Sequence, residues 1–84
     1  MTQKATTKDE LFLVKLHELA LVQGDVTHPI DRYVIGRAIG QNDKGINAIV
    51  VLLAKANFVK KGEENTIYLT HQGLRLVESL RLKL

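Results

Sequence analysis

The sequence has no cysteine, no tryptophan and a single proline among its 84 residues. The absence of cysteine excludes disulfide bonds and thiolate metal ligands. The three histidines lie too far apart in sequence to suggest a ligand pair, so we expect neither a metal site nor a cofactor. Because the chain has only two Phe and two Tyr, its core has to be built from Leu, Ile and Val.

Long hydrophobic runs are also missing. No apolar stretch reaches the ~18 residues of a membrane span, and the polar N-terminus lacks the hydrophobic segment of a signal peptide. We therefore expect a cytoplasmic protein that does not associate with a membrane. The length and the composition, 45% hydrophobic and 25% charged, suit one globular domain. We expect this domain over residues 7–84, after a disordered tail over residues 1–6.

The sequence also lacks a recognisable set of catalytic residues. The nine acidic residues are scattered, no Ser/His/Asp or Cys/His arrangement can be built, and the six glycines form no phosphate-binding loop. The sequence therefore predicts that the protein is not an enzyme.

Positive charge, by contrast, is concentrated in the middle of the chain. Residues 32–61 carry six basic residues against one acidic residue, a net charge of +5, whereas residues 1–31 carry a net charge of −2. Residues 62–84 balance at three of each sign. A basic segment of this kind is expected where a protein faces a polyanion.

Capping residues and hydrophobic spacing predict the first helix. Thr7 and Glu10 have the spacing of a capping box, and Gly24 can end the helix in the left-handed conformation. We expect His17 on the less buried side of this helix. Its core face is expected to comprise Phe12, Leu13, Leu16, Leu19 and Ala20.

A second and a third helix are predicted around a tight turn. Pro29 is suited to the first position of the second helix, Gly40 ends it, and Asn42 is a good N-cap for a third helix from Asp43 to about Ala56. The second helix is expected to bury Ile30, Val34, Ile35, Ala38 and Ile39. The third is expected to bury Ile46, Ile49, Val50 and Leu53.

The rest of the chain predicts a hairpin and a last helix. Asn57 stands where a residue that tolerates positive φ is needed, and two short strands then flank a turn at residues 62–65. Thr70 is expected to cap the last helix. The apolar stripe of that helix is Leu74, Leu76, Val77, Leu80 and Leu84.

This order of elements, a mainly α fold with a small β-hairpin, resembles the winged helix-turn-helix family, many of whose members regulate transcription. The resemblance covers residues 35–77, about half of the chain, and specifies the fold better than the function. The positions that carry it are Asn42, Ile46, Val50, Leu53, Asn57, Phe58, Val59 and the closing Leu69-Thr70-His71-Gln72-Gly73.

The resemblance implies binding to double-stranded DNA, as a small transcriptional regulator or a chromatin-type protein. The third helix would enter the major groove, and the hairpin, or wing, would contact the adjacent backbone or minor groove. The candidate DNA contacts are Arg32, Arg37, Asn42, Lys44, Asn47, Ala48, Lys55, Lys60 and Lys61.

An alternative is a winged helix that acts as a protein-protein interaction or dimerisation module without direct DNA binding. Val51 and Leu52 place apolar side chains on or beside the outer face of the third helix, where a protein partner could bind. The acidic wing tip, Glu63 and Glu64, would repel phosphates.

We also expect a homodimer, because the first and last helices carry more apolar surface than one small domain can cover. The candidate interface residues are Leu11, Val14, Leu21, Val22, Leu76, Leu80 and Leu84.

Overall fold

The computed structural model describes residues 7–82, which form a mainly helical chain with a small three-stranded antiparallel sheet. The predicted tail over residues 1–6 and Leu84 lie outside the described residues. The helices are α1 (Lys8–Val22), α2 (Arg32–Ala38), α3 (Asp43–Lys55) and α4 (His71–Leu82). The strands are β1 (Ile30–Asp31), β2 (Val59–Lys61) and β3 (Thr66–Leu69).

The helix α1 begins with the predicted capping box. The backbone N–H of Glu10 donates to Thr7 Oγ1 at 3.1 Å, and the N–H of Thr7 donates to Glu10 Oε1 at 3.3 Å. The predicted position of His17 is wrong, because this side chain is buried. It follows Leu13 by four residues and precedes Ala20 by three, so helical spacing places it on the core face, where α4 packs.

The helix α2 starts later than predicted. Ile30 and Asp31 form the edge strand β1, which pairs with β3 and gives the strand order β1-β3-β2. Asp31 then caps α2 by accepting the Tyr33 N–H at 2.7 Å. Strand pairing satisfies the backbone here, and an aspartate is a stronger N-cap than the residues before Pro29.

The shorter α2 also buries fewer residues than predicted. Its buried residues are Ile35 and Gly36, whereas Val34 is 54% exposed and Ala38 is exposed. Val34 lies on the flank of the helix turned away from Gly36, and Gly36 packs against α3. The predicted core face was therefore too wide.

The segment from α3 to α4 follows the sequence predictions closely. Asn42 caps α3 by accepting the Gly45 N–H at 2.9 Å, and Asn57 has the predicted positive φ, 66°. Thr70 caps α4 by accepting the Gly73 N–H at 3.0 Å. In the hairpin, Val59 lies opposite Leu69 and Lys60 opposite Tyr68.

The core lies between the helices and the inner face of the sheet. None of the helices within residues 7–82 has the length and hydropathy that a bilayer span would require. The fully buried large side chains are Phe12, Leu13, Leu16, Ile35, Ile46, Val50, Val59, Ile67, Leu69 and Val77.

Candidate nucleic-acid interface

The turn between α2 and α3 depends on a close approach of the two helices. A Cβ atom at Gly36 would overlap the side chain of Ile46, so only glycine permits this crossing. The Gln41 N–H donates to the Gly36 carbonyl at 2.9 Å, and Gly40 takes a φ of 80°. These contacts set the distance between α2 and α3.

A polar network fixes α3 relative to α2 and to the wing, which we define as β2, residues 62–65 and β3. Arg32 Nη1 donates to Asn47 Oδ1 at 3.2 Å, and Arg32 Nε donates to the Asn65 carbonyl at 3.1 Å. The Tyr33 hydroxyl lies 3.1 Å from Asn47 Nδ2. Arg32 and Asn47 were predicted as DNA contacts; Nε and Nη1 of Arg32 and both side-chain polar atoms of Asn47 form hydrogen bonds within the chain.

Arg37 lies at the surface beside this network. Its guanidinium is 5.5 Å from the centre of the Tyr33 ring and forms a 2.8 Å ion pair with Asp43. Both charged side chains are largely exposed. Exposed pairs of this kind stabilise by only about 0.2–1 kcal/mol, so Arg37 can exchange Asp43 for a phosphate at low cost.

The surface of α3 opposite its buried stripe has a simple composition. Lys44, Ala48, Val51 and Lys55 follow one another at spacings of four, three and four residues, and all four are exposed. We call these residues the outer face of α3. Neither lysine forms an ion pair with another side chain in residues 7–82. Asn42, also predicted as a DNA contact, uses its side-chain oxygen as the helix cap.

The two lysines of the wing point in different directions, although they were predicted to act together. Lys60 pairs with Tyr68 on the outer surface of the sheet, while Lys61 pairs with Ile67 on the surface that faces the core. Both lysine side chains are exposed. Lys60 borders an open groove of about 540 Å³ that also contacts Pro29, Tyr68 and His71.

The outer face of α3 thus presents ammonium groups and apolar side chains, whereas the wing presents the lysines of β2 and an acidic tip at Glu63 and Glu64. No protein-family model, curated protein or solved structure matches this chain. In the part of the chain that the structure describes, no three His, Asp or Glu side chains are grouped so that they could hold a metal ion. Exposed ammonium groups on the outer face of α3 and on β2 are groups that can pair with phosphates.

The α1–α4 side of the molecule carries the residues predicted to form a dimer interface. Leu11, Leu21 and Val22 are exposed, and Val22 reaches 81%. Val14 and Leu76 are half-buried. The assignment of Leu80 is corrected, because this side chain is only 4% exposed within the single chain. It belongs to the buried stripe of α4 with Val77 instead of to its flank.

One contact on this side was missed by the sequence analysis. Arg81 Nη1 lies 3.4 Å from His17 Nδ1, so the guanidinium donates to the imidazole. Burial first, and the nearby positive charge of Arg81 second, lower the pKa of His17, while Glu18 and Glu78 oppose this change. The spacing of His17 from Leu13 and Ala20 could have indicated that His17 is buried. The contact of Tyr33 with Asn47 was also missed, and no local sequence pattern indicates it.

Proposed function

We propose that this protein is a winged helix-turn-helix protein that binds double-stranded DNA, as a small transcriptional regulator or a chromatin-type protein. The observation that carries the proposal is the outer face of α3, where Lys44 and Lys55 are exposed and unpaired within residues 7–82. The helical order and the three-stranded sheet are compatible with a winged-helix-like fold.

In the proposed complex, α3 lies in the major groove with its N-terminal half toward the bases. Lys44 contacts a base or a phosphate, Lys55 a phosphate, and Arg37 the backbone that α2 crosses. The wing contributes Lys61 or Lys60 to an adjacent phosphate, whereas the acidic tip at residues 63–64 stays away from the DNA. Arg32 and Asn47 position α3 and do not touch the bases.

The protein is further proposed to act as a cytoplasmic homodimer and not as an enzyme. Support for the dimer comes from Leu11 near the start of α1 and from Leu21 and Val22 at its end, all of which are exposed to water. The Lys15–Glu18 ion pair lies between these two apolar parts of the helix. A dimer in which the first and last helices pair about a two-fold axis would present its two α3 helices to DNA half-sites one helical turn apart.

The alternative is a module that binds a protein through α3 without contacting DNA. Its support is that Val51 and Leu52 are both about half exposed. Leu52, however, lies on the flank of α3 away from Asn47, so it does not extend the outer face. The two hypotheses differ in their salt dependence, because counterion release weakens DNA binding steeply as salt rises.

The test is binding to a random-sequence duplex at several salt concentrations, for the wild type and for Lys44→Glu and Lys61→Glu. If each lysine neutralises one phosphate, each variant lowers the slope of log affinity against log salt by about 0.9 or more. Lys60→Glu, on the opposite surface of the wing, reports which surface faces the DNA.

The matched control is Lys8→Glu, which makes the same charge change at an exposed position on α1. We expect Lys8→Glu to alter the slope less than Lys44→Glu does. Equal slopes for all variants, or no measurable binding of the wild type at low salt, would exclude this face as a DNA-binding surface.

A further inference from the structure

The middle of the outer face of α3 has no free hydrogen-bonding side chain. Between Lys44 and Lys55 it presents Ala48 and Val51, and Val51 is 48% exposed. Asn47, the one amide nearby, is turned to the flank by Arg32 and Tyr33. The side chains of Ala48 and Val51 therefore cannot form hydrogen bonds with a base.

The major-groove edges of the bases offer one apolar group, the C5 methyl of thymine. Ala48 and Val51 are separated by three residues, a rise of about 4.5 Å along the helix, which is comparable to the ~3.4 Å between stacked base pairs. Two neighbouring side chains of this face can thus meet methyl groups on neighbouring base pairs.

The charges on the same face favour an anionic partner, as the proposed DNA-binding function requires. A lysine stands at each end of the Ala48–Val51 pair, and no carboxylate belongs to the outer face. Asp43 precedes Lys44 by one residue and pairs with Arg37, so it lies on the flank of α3 toward α2 and outside the outer face. An apolar pair bracketed by two ammonium groups matches the major groove of A·T pairs, where methyl groups lie between two phosphate backbones.

We propose that α3 selects duplexes with thymine at adjacent base pairs through contacts of Ala48 and Val51 with the thymine methyl groups. This inference rests on the proposed DNA-binding function and specifies the base sequence that the site prefers. Lys44 and Lys55 fix the helix on the flanking phosphates and supply affinity that does not depend on the methyl groups.

The experiment compares two 20-base-pair duplexes, alternating d(A-T) and alternating d(A-U), which differ only in the C5 methyl groups. Burial of one methyl group corresponds to about a four-fold change in affinity. The wild type is expected to bind the thymine duplex at least about four-fold more tightly than the uracil duplex. Both affinities should fall with salt in parallel.

Two variants separate a direct methyl contact from an effect of DNA shape. Val51→Ser removes both methyl groups of the side chain and leaves a hydroxyl, and it should reduce the preference for thymine. Val34→Ser makes the same change at an exposed position on α2 and should leave the preference intact.

The outcomes distinguish this inference from the proposed function. Salt-dependent binding of the wild type with equal affinity for both duplexes overturns the thymine inference and leaves DNA binding in place. An unchanged preference in Val51→Ser also overturns it. Failure to bind either duplex at low salt overturns the proposed function, and the thymine inference with it.

Discussion

The α2–α3 side and the α1–α4 side of this molecule are built in different ways. On the α2–α3 side the helices approach closely at Gly36, and Arg32 joins α3 to the turn of the wing by hydrogen bonds. On the α1–α4 side the polar contact is His17 with Arg81, and apolar side chains such as Val22 remain exposed.

The difference fits the two roles proposed for these sides, DNA binding and dimerisation. Directional hydrogen bonds and a close helix crossing hold a helix in one orientation, which a surface that reads DNA requires. Exposed apolar surface is not directional, and it is suited to burial against a second copy of the chain. Substitutions on each side should therefore have different consequences.

The largest expected loss of stability is caused by Gly36→Ala on the α2–α3 side. The new methyl group would overlap Ile46, which is fully buried and cannot move aside. Overpacking of this kind costs up to about 3 kcal/mol, against the ~1 kcal/mol that alanine gains over glycine in a helix, so the net loss reaches about 2 kcal/mol. We expect a clearly lower urea midpoint, measured by circular dichroism.

The control for that change is Gly45→Ala, also in a helix of the same side. Its new methyl group would meet chiefly the side-chain oxygen of Gln41, at 2.8 Å, and that side chain can rotate. The midpoint should stay the same or rise. A Gly36→Ala protein as stable as Gly45→Ala would show that the α2–α3 crossing is less tight than described.

A smaller effect is expected for Asn47→Ala, which removes the centre of the polar network. Arg32 and Tyr33 each lose a partner in a partly buried position, so unfolding should become easier by about 1 kcal/mol. The exposed Ala48→Ser change next to it is the control and should be nearly neutral. If Asn47 instead contacted DNA from a free position, Asn47→Ala would weaken DNA binding without changing the urea midpoint.

On the α1–α4 side, the free energy of unfolding should depend on pH through His17. Because burial and Arg81 lower the pKa of His17 in the folded protein, the unfolded chain binds a proton more readily. The contribution of neutral His17 is complete above the unfolded pKa of ~6.5 and is lost as pH falls from there through the lowered folded pKa.

Urea unfolding of the wild type and of His17→Gln at pH 7.5, 6 and 5 measures this contribution. The glutamine keeps a hydrogen-bond acceptor for Arg81 but does not titrate. The free energy of unfolding should fall more steeply with acid in the wild type than in His17→Gln. Identical slopes would mean that His17 does not stay neutral in the folded protein.

The smallest effect on stability is expected for Leu21→Ser with Val22→Ser. Both side chains are exposed in the single chain, so each change should alter the free energy of unfolding of the monomer by less than ~0.5 kcal/mol. The same pair should convert the proposed dimer to a monomer in sedimentation equilibrium. Val34→Ser, exposed on α2, should leave the mass unchanged, and a monomeric wild type at tens of micromolar would contradict the dimer.

Several local features of the fold followed from the sequence because each depends on a few neighbouring residues. The capping box of Thr7 and Glu10, the cap at Asn42 and the positive φ of Asn57 are short-range hydrogen-bond and backbone preferences. The buried stripe of α3 followed from its three-and-four spacing.

The sequence predictions were wrong where segments distant in sequence come into contact. Ile30 and Asp31 are a strand because β3, more than thirty residues later, is available to pair with them. His17 is buried because α4 covers that face of α1, and periodicity alone does not say which polar residue a partner helix will cover.

For the candidate site, the sequence already located the positive charge in residues 32–61 and the lysines on the exposed side of α3. Long-range contacts determined which polar side chains remain free to contact a ligand, because Arg32 donates hydrogen bonds to Asn47 and Asn65 across the fold. Local propensities act over three or four residues along the chain, whereas these hydrogen bonds exist only after the core has brought α2, α3 and the wing together.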